Sequence, residues 1–365
     1  MASIFITGFP GFLGSELVER LLQHDPRNLP VNCLVQASYR EAAEKRLQAI
    51  EAKGSGYRDR IHLYEGNITE PNLGLGDCYR KLSGETMEIY HLAAVYDLGV
   101  SRQVAMEVNV EGTRRMLAFA ECCVPHLQRF QYVSTCYVSG RYQGVFTESD
   151  LIKDQSFNNH YEETKYLAEI EVQQQMEDGL PATIYRPSIV VGDSLTGATQ
   201  KYDGIYYLLR WMLRQPGYVL IPLFDDPARF EVNLVPRDFV VDALAHLSRL
   251  PESNGKVYQL CDPQPLLVDQ IIDVLLVAMA RKGLRIRLPK ALVKVPLENL
   301  KFLRTLTGIE PETMEYFTHP TRYTCENTLA DLRGSGIHCP PFAEYARNLI
   351  AFMQEHPEIS SDAMV

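Results

Sequence analysis

The chain has 365 residues, 46% hydrophobic and 22% charged, with a formal net charge of −10. That balance supports a sizeable buried core in one large domain or two unequal ones. With no long basic run, it argues against a nucleic-acid partner held by its phosphates.

Ser3-Ile4-Phe5-Ile6 reads as a buried strand, which leaves no room for a signal peptide. Thr7-Gly8-Phe9-Pro10-Gly11-Phe12-Leu13-Gly14 follows, then a helical pattern from Ser15 to Gln23. Strand, glycine turn and helix point to dinucleotide binding. One glycine bends the turn, one admits a pyrophosphate to the backbone, and one lets the helix pack on the strand. The helix N-terminus then faces the phosphates.

Further strands are expected at Val31–Val35, Ile61–Tyr64, Met87–Ala94, Phe130–Thr135 and Ala182–Pro187. Helices are expected at Ala42–Lys53 and Val108–Cys122, and a third runs to about Met176. The alternation predicts an α/β fold with a doubly wound parallel (Rossmann) sheet. Ligands of such sheets bind beyond the carboxyl ends of the strands. The glycine turn, Ala93-Ala94, Ser134-Thr135 and Pro187-Ser188 all fall on that rim.

The third helix starts in Asn158-Asn159-His160-Tyr161-Glu162-Glu163, where either asparagine can cap and the acids suit the dipole. An apolar stripe is expected behind this start. Tyr161 and Lys165 are four residues apart and leave one helix face. A phenol beside an ammonium is a proton-donor arrangement, and the cation is expected to draw the phenol's pKa down from about 10. His160 either contacts a ligand or serves only the helix start.

Composition changes beyond Gly192. Asp193 to Gly204 reads as a loop, Ile205–Arg214 as an aromatic-rich helix, Val232–Val235 and Val257–Leu260 as strands. Residues 236–250, Leu267–Ala280 and Phe342–Glu355 read as helices. Residues 1–192, with parts of 230–262, are expected to form the dinucleotide-binding domain; 193–229 and 263–365 form a smaller discontinuous cap. Tyr202, Tyr206, Tyr207, Trp211 and Phe224 either line a substrate tunnel or fill the cap's core. Leu288 to Leu306 reads as a core helix, with a peripheral membrane contact as the alternative. The longest strongly apolar run, Ile271 to Ala280, is broken by Asp273 and too short to span a bilayer. The eight cysteines lack zinc-site spacing, so no metal is expected and a reducing, cytoplasmic setting is.

Together these motifs resemble the extended short-chain dehydrogenase/reductase superfamily over roughly Ile4 to Leu260. They include His91-Leu92-Ala93-Ala94, Asn109-Val110-x-Gly112-Thr113, Arg186-Pro187 and Val235-Pro236-Arg237-Asp238. Glu70-Pro71-Asn72-Leu73-Gly74-Leu75, Val190-Val191-Gly192-Asp193-Ser194 and Lys201-Tyr202-Asp203-Gly204 resemble its thioester-reductase and fatty acyl-CoA reductase branch. The resemblance implies Tyr161 as proton donor, Thr135 as second donor to the oxyanion, Lys165 on the nicotinamide ribose, and Asn109 holding a water relay. Period-two alternation puts Ser134 on the opposite face, where a bond to nearby backbone is expected. Cys136 has no matched base, so a covalent role is set aside.

For the cofactor, the resemblance implies contacts from Thr7, Gly8, Gly11, Phe12, Leu13 and Gly14, from Ala93 and Ala94, and from Pro187, Ser188 and Ile189. An acid at the end of the second strand would favour NAD; Gln36 stands there instead. Arg40 and Arg46 lie nearby, either as a 2′-phosphate site or as a solvated helix face, and NADP(H) is favoured over NAD(H). Asn67-Ile68 takes the place that contacts adenine. The implied substrate is a lipophilic acyl thioester or derived aldehyde, with a bulky sterol- or quinolone-like ketone or alcohol as the alternative. The resemblance also makes a homodimer reasonable.

Overall fold

A computed structural model describes residues 2–96, 99–223, 226–287 and 311–360 of the chain. In the first part β1 (Ser3–Thr7), α1 (Phe12–His24), β2 (Val31–Val35), α2 (Arg40–Glu51), β3 (Ile61–Glu65), α3 (Cys78–Glu85) and β4 (Thr86–His91) alternate. Two helices, α4 (Arg102–Ala105) and α5 (Gly112–Cys123), lead into β5 (Arg129–Val133). Next come β6 (Gly144–Phe146), α6 (His160–Glu177), β7 (Ala182–Pro187), β8 (Ile189–Val191), α7 (Ile205–Leu213) and β9 (Tyr218–Leu223). The rest comprises β10 (Glu231–Val232), β11 (Leu234–Pro236), α8 (Arg237–Leu247), β12 (Val257–Leu260), β13 (Leu266–Leu267), α9 (Val268–Ala278) and β14 (Lys282–Arg287). After these come β15 (Thr321–Tyr323), α10 (Glu326–Asp331) and α11 (Phe342–Glu355).

Seven strands form one parallel sheet in the order β12-β7-β5-β4-β1-β2-β3. The α/β doubly wound expectation therefore holds. β1, β2 and β7 are buried along their whole length, as strands covered on both faces must be. The order reverses at β1, between β2 and β4, and this switch point opens a crevice at the carboxyl ends. The expected strand at Phe130–Thr135 ends at Val133, which frees Thr135 to cap a short helical turn over Cys136–Ser139.

One apolar cluster packs α1 and α8 on one side of the sheet, and another joins α5 and α6 to the other side. A third unites Tyr202, α7, β9, α9 and α11, and it holds Tyr202 and Tyr206 fully buried. For these two tyrosines core filling is the outcome. Phe224 and Leu288 to Leu306 lie outside the described residues. Two short parallel pairs, β6 with β15 and β9 with β14, have no counterpart in the sequence expectations. The chain also returns to the large sheet after residue 320. Tyr258 and Lys256 both bond Asp331, and Glu148 accepts from the backbone of Gln259, Asn327 and Thr328. Among the described residues no helix is long and apolar enough to cross a membrane.

The glycine turn is built around one carbonyl oxygen. Gly11 N–H donates to Gly8 O at 2.8 Å. A Cβ at Gly14 would lie 2.4 Å from the same oxygen, and one at Gly11 2.7 Å from it. Gly8 itself has φ +91°, and a Cβ there would meet Leu92 Cβ at 2.9 Å. The cradle is thus closed to side chains at all three positions. Gly14→Ala is expected to push α1 off β1 and to weaken dinucleotide binding at least ~10-fold, about 1.4 kcal/mol. Calorimetric titration with far-ultraviolet dichroism as a folding control checks this; an unchanged affinity would show that the close packing is dispensable.

Candidate active site

The rim is fastened by a hydroxyl. Thr7 Oγ1 sits 2.8 Å from His91 Nδ1 and accepts from the backbone N–H of Leu92 and Ala93 at 3.2 and 3.1 Å. His91 Nε2 lies 3.1 Å from Thr113 Oγ1 on α5. Burial, then the charge of Lys165, hold the His91 pKa down to about 3, so this ring is neutral. The Thr7 side chain therefore fixes the end of β4 instead of facing a phosphate. Ala93 and Ala94 follow directly, half-buried on the rim.

Helix α6 begins where the sequence puts it. Asn159 caps it, with its side chain accepting from Glu162 N at 2.9 Å. The expected apolar stripe is short. The buried face of α6 carries Glu162, Thr164, Lys165 and Glu169 beside only Ala168 and Val172. His160 is exposed and faces Glu163 at 3.5 Å. Tyr161 is half-buried and takes a hydrogen bond from Thr135. Thr135 Oγ1 also accepts from Tyr137 N at 3.2 Å and reaches Pro187 O at 3.4 Å. Lys165, one turn on, is buried. Its ammonium donates to Tyr132 Oη at 2.9 Å and Val133 O at 2.8 Å, and sits 4.4 Å over the Tyr132 ring.

These contacts reverse one expectation. The Tyr161 pKa is pushed up to about 12, first by burial, with the Thr135 hydrogen bond pulling the other way. Burial drives Lys165 down to about 7, and the charge of Glu169 opposes that fall. The ammonium is spent on Tyr132 and Val133, so it does not set the phenol as the spacing alone suggests. Burial of Glu162 raises its carboxyl to about 7. At neutral pH Tyr161 is a protonated phenol.

Asn109 lies in a π-helical turn over Met106–Glu111. Its Oδ1 accepts from Val95 N at 2.8 Å, and its Nδ2 donates to Val95 O and Thr164 Oγ1, both at 3.0 Å. The carboxamide thus ties the loop after β4 to α6. Ser134 departs from its expected backbone bond, donating instead to Glu169 Oε2 at 2.5 Å. Arg186 grips the same carboxylate with Nε and Nη2, and both residues are fully buried. Glu169 stands four residues after Lys165, a spacing that marks it as a same-face residue. Tyr132 carries no such signal, because strand-to-helix contacts leave no periodic trace.

A cleft of about 290 Å³ is lined by Gln36, Ala37, Ser38, Glu65, Gly66, Asn67, Glu70 and Gly74. It brings together Gln36 and Asn67 as the sequence anticipates. Ile68 beside it is buried and packs beneath Gly112. Arg40 pairs with Glu44 at 2.7 Å, and Arg46 pairs with Glu16 on α1. Arg46 Nε is buried with no hydrogen-bond partner. Phe12 lies beneath the Arg237 guanidinium, 5.1 Å from ring centroid to Cζ, and Leu13 packs on the core. Ser188 Oγ donates to Asn233 O at 2.9 Å, and Ile189 is half-buried. A side-chain-free glycine cradle at the end of β1 and a polar cleft at the ends of β2 and β3 together fit a dinucleotide.

A wall that sequence reasoning missed stands beside Tyr161. Tyr316 packs edge-on against Tyr137 at 4.8 Å, and its hydroxyl accepts from Asn159 Nδ2 at 3.2 Å. His319 packs on Tyr137 at 4.9 Å and meets Tyr323 Oη at 2.8 Å, which in turn meets Ser139 Oγ at 2.8 Å. Tyr316, His319 and Tyr323 lie more than 130 residues beyond the end of α6 in sequence, out of the reach of local patterns.

Comparison with known proteins adds three findings. The NAD-binding family model described as Male sterility protein matches residues 6–244. The non-canonical nonribosomal peptide synthetase FrzA of Cladobotryum sp is 27% identical over 274 residues, covering 71% of this chain and 26% of that protein. The aldehyde reductase lnbA of Aspergillus flavus is 26% identical, covering 71% of this chain and 26% of its own length. The chain spans about a quarter of the length of these curated relatives. Among solved structures, the terminal R domain from the myxalamid PKS-NRPS biosynthetic pathway is similar at TM-score 0.80 and 26% identity, covering 98% of this chain and 91% of that one. UDP-glucuronic acid 4-epimerase from Bacillus cereus in complex with NAD shares the fold at TM-score 0.67, 17% identity and 99% coverage of both chains.

Tyr161→Phe removes one oxygen and no packing. Hydride-transfer kcat is expected to fall by roughly 10² to 10⁴ while dinucleotide affinity stays within about twofold. Stopped-flow turnover beside a binding titration reads both, and a kcat near wild type would take Tyr161 out of the chemistry.

Proposed function

The chain belongs to the Male sterility protein family, and from that premise we propose that it is a nicotinamide-dependent reductase of an acyl thioester or the derived aldehyde. The observation that carries this reading is the protonated Tyr161 phenol held by Thr135 at the carboxyl edge of the sheet. Gly8, Gly11, Gly14 and the Gln36–Asn67 cleft would hold the dinucleotide. Bound there, a reduced nicotinamide supplies the hydride. Tyr161 gives its proton to the carbonyl oxygen as negative charge builds on it, and Thr135 donates a second hydrogen bond to the same atom. Lys165, anchored by Tyr132 and Val133, would bond the nicotinamide ribose. A thioester then yields a hemithioacetal that breaks its C–S bond to give thiol and aldehyde; an aldehyde yields the alcohol.

Similarity to the aldehyde reductase lnbA supports reduction of an aldehyde. Residues 193–229 and 263–365 supply the substrate side in this reading. The test is a panel of acyl-CoAs, long-chain aldehydes and bulky ketones, following nicotinamide absorbance and product. Consumption with thioester and aldehyde is expected; turnover of ketones alone would move the assignment to a ketone reductase.

NADPH is the proposed dinucleotide, supported by Gln36 in place of an acid and by Arg40 and Arg46 on α2. The observation favouring NADH is that Glu65 and Glu70 line the cleft while both arginines have carboxylate partners. Arg46→Ala separates the two. An NADPH KM raised about tenfold with an NADH KM changed less than about twofold is expected from loss of a charge-assisted phosphate contact. Equal changes would return the assignment to NADH.

A further inference from the structure

Glu169 is a carboxylate with none of its surface in water. It accepts from four donor atoms on three side chains. Ser134 Oγ reaches it at 2.5 Å, Arg186 Nη2 at 2.6 Å and Nε at 3.0 Å, and Gln173 Nε2 at 3.0 Å. Arg186 is equally enclosed, and its remaining donors meet Thr147 O at 3.3 Å and Asp150 O at 2.8 Å. Burying two full charges costs several kcal/mol each before pairing, so such a pair gains little stability over apolar residues of the same volume. Its placement is more informative. Ser134 immediately precedes Thr135 at the end of β5. Arg186 immediately precedes Pro187, whose carbonyl faces Thr135 Oγ1 at 3.4 Å. Glu169 itself lies on the α6 face that carries Lys165 and Tyr161, one and two turns away respectively.

We propose that Glu169 is a positioning residue for proton transfer: as the shared acceptor of Ser134 and Arg186 it locks the Tyr161–Lys165 helix to the ends of β5 and β7. The role rests on the reductase reading above. One carboxylate thereby sets the distance between the two groups that meet the carbonyl oxygen, Tyr161 and Thr135. It also acts on Lys165. That ammonium is faced by Tyr132 and the Val133 carbonyl from β5 and by neutral His91 from β4. Burial drives it down to about 7, and Glu169 is the charge that holds it up. The cation is present below that pH and is lost as pH rises through it, so removing Glu169 moves the loss to lower pH.

The test compares Glu169→Gln, which keeps shape and loses charge, with Glu169→Asp, which keeps charge and shortens reach. In Glu169→Gln the alkaline limb of the kcat profile is expected to move down by roughly one pH unit, about tenfold in rate above it. The KM for the dinucleotide is expected to stay within about twofold, since no cofactor contact changes. In Glu169→Asp kcat falls while the limb stays in place. Where the Arg186 charge left in Glu169→Gln prevents folding, the doubly neutral Glu169→Gln/Arg186→Met replaces it with the same expected shift. Isotope-edited lysine NMR of the dinucleotide-free protein, assigned with Lys165→Met, reads the same titration without any substrate. Failure to reduce any carbonyl would therefore defeat the reductase reading while leaving the Glu169 result readable. A limb and a lysine titration unchanged in the neutral variants, with only the melting temperature lowered, would make Glu169 a structural brace and overturn the proposal.

Discussion

Helix α6 buries four polar side chains against the sheet, and each must have a partner or the helix cannot pack there. Glu162 turns back to Asn158 and Asn159, and Thr164 accepts from Asn109. Lys165 donates to Tyr132 and Val133, and Glu169 takes Ser134 and Arg186. An apolar face could slide or rotate at small cost. A face of matched donors and acceptors has one register, because a shift leaves several buried groups unpaired at about 1–3 kcal/mol each. The catalytic geometry is held by this matching rather than by shape alone.

Much of the frame was legible in local sequence. β2, β7, β12 and α11 fall where periodicity and punctuation place them, and the glycine turn carries its own strand and helix. Tyr161, Thr135 and Lys165 are brought to one edge of the sheet. The electrostatics were not legible. The fall expected for the Tyr161 pKa assumes that its ammonium neighbour is free, whereas Lys165 is claimed by Tyr132, a strand residue 33 positions earlier. Arg40 and Arg46 looked available for a phosphate, yet each has a glutamate partner, one of them on a different helix. Long-range pairings of short segments escaped for a similar reason: Thr321–Tyr323 beside Gly144–Phe146 has no period long enough to read.

The substrate side differs in character from the dinucleotide side. The cradle is backbone, stripped of side chains so that a phosphate can approach. The wall opposite is made of aromatic rings: Tyr137 packs against Tyr316, Tyr323 and His319, whose polar tips bond to one another or to Asn159 and Ser139. Such a surface is firm, because two torsions fix each ring and hydrogen bonds fix its end. Of the aromatics that could either line a tunnel or fill a core, Tyr202 and Tyr206 fill the core shared by α7, β9, α9 and α11.

The return of the chain to the large sheet also imposes an order in time. Glu148 receives the backbone of Asn327 across 179 residues, and Thr321 and Tyr316 dock beside it. Contacts of such separation close the longest loops and come late in assembly. The last strand of the seven-stranded sheet ends at Leu260, and the close contacts of the glycine cradle end at Ala93. During synthesis the nucleotide half can therefore mature while the ring wall is still unmade. A partly made chain would grip its dinucleotide before it could enclose a carbonyl compound.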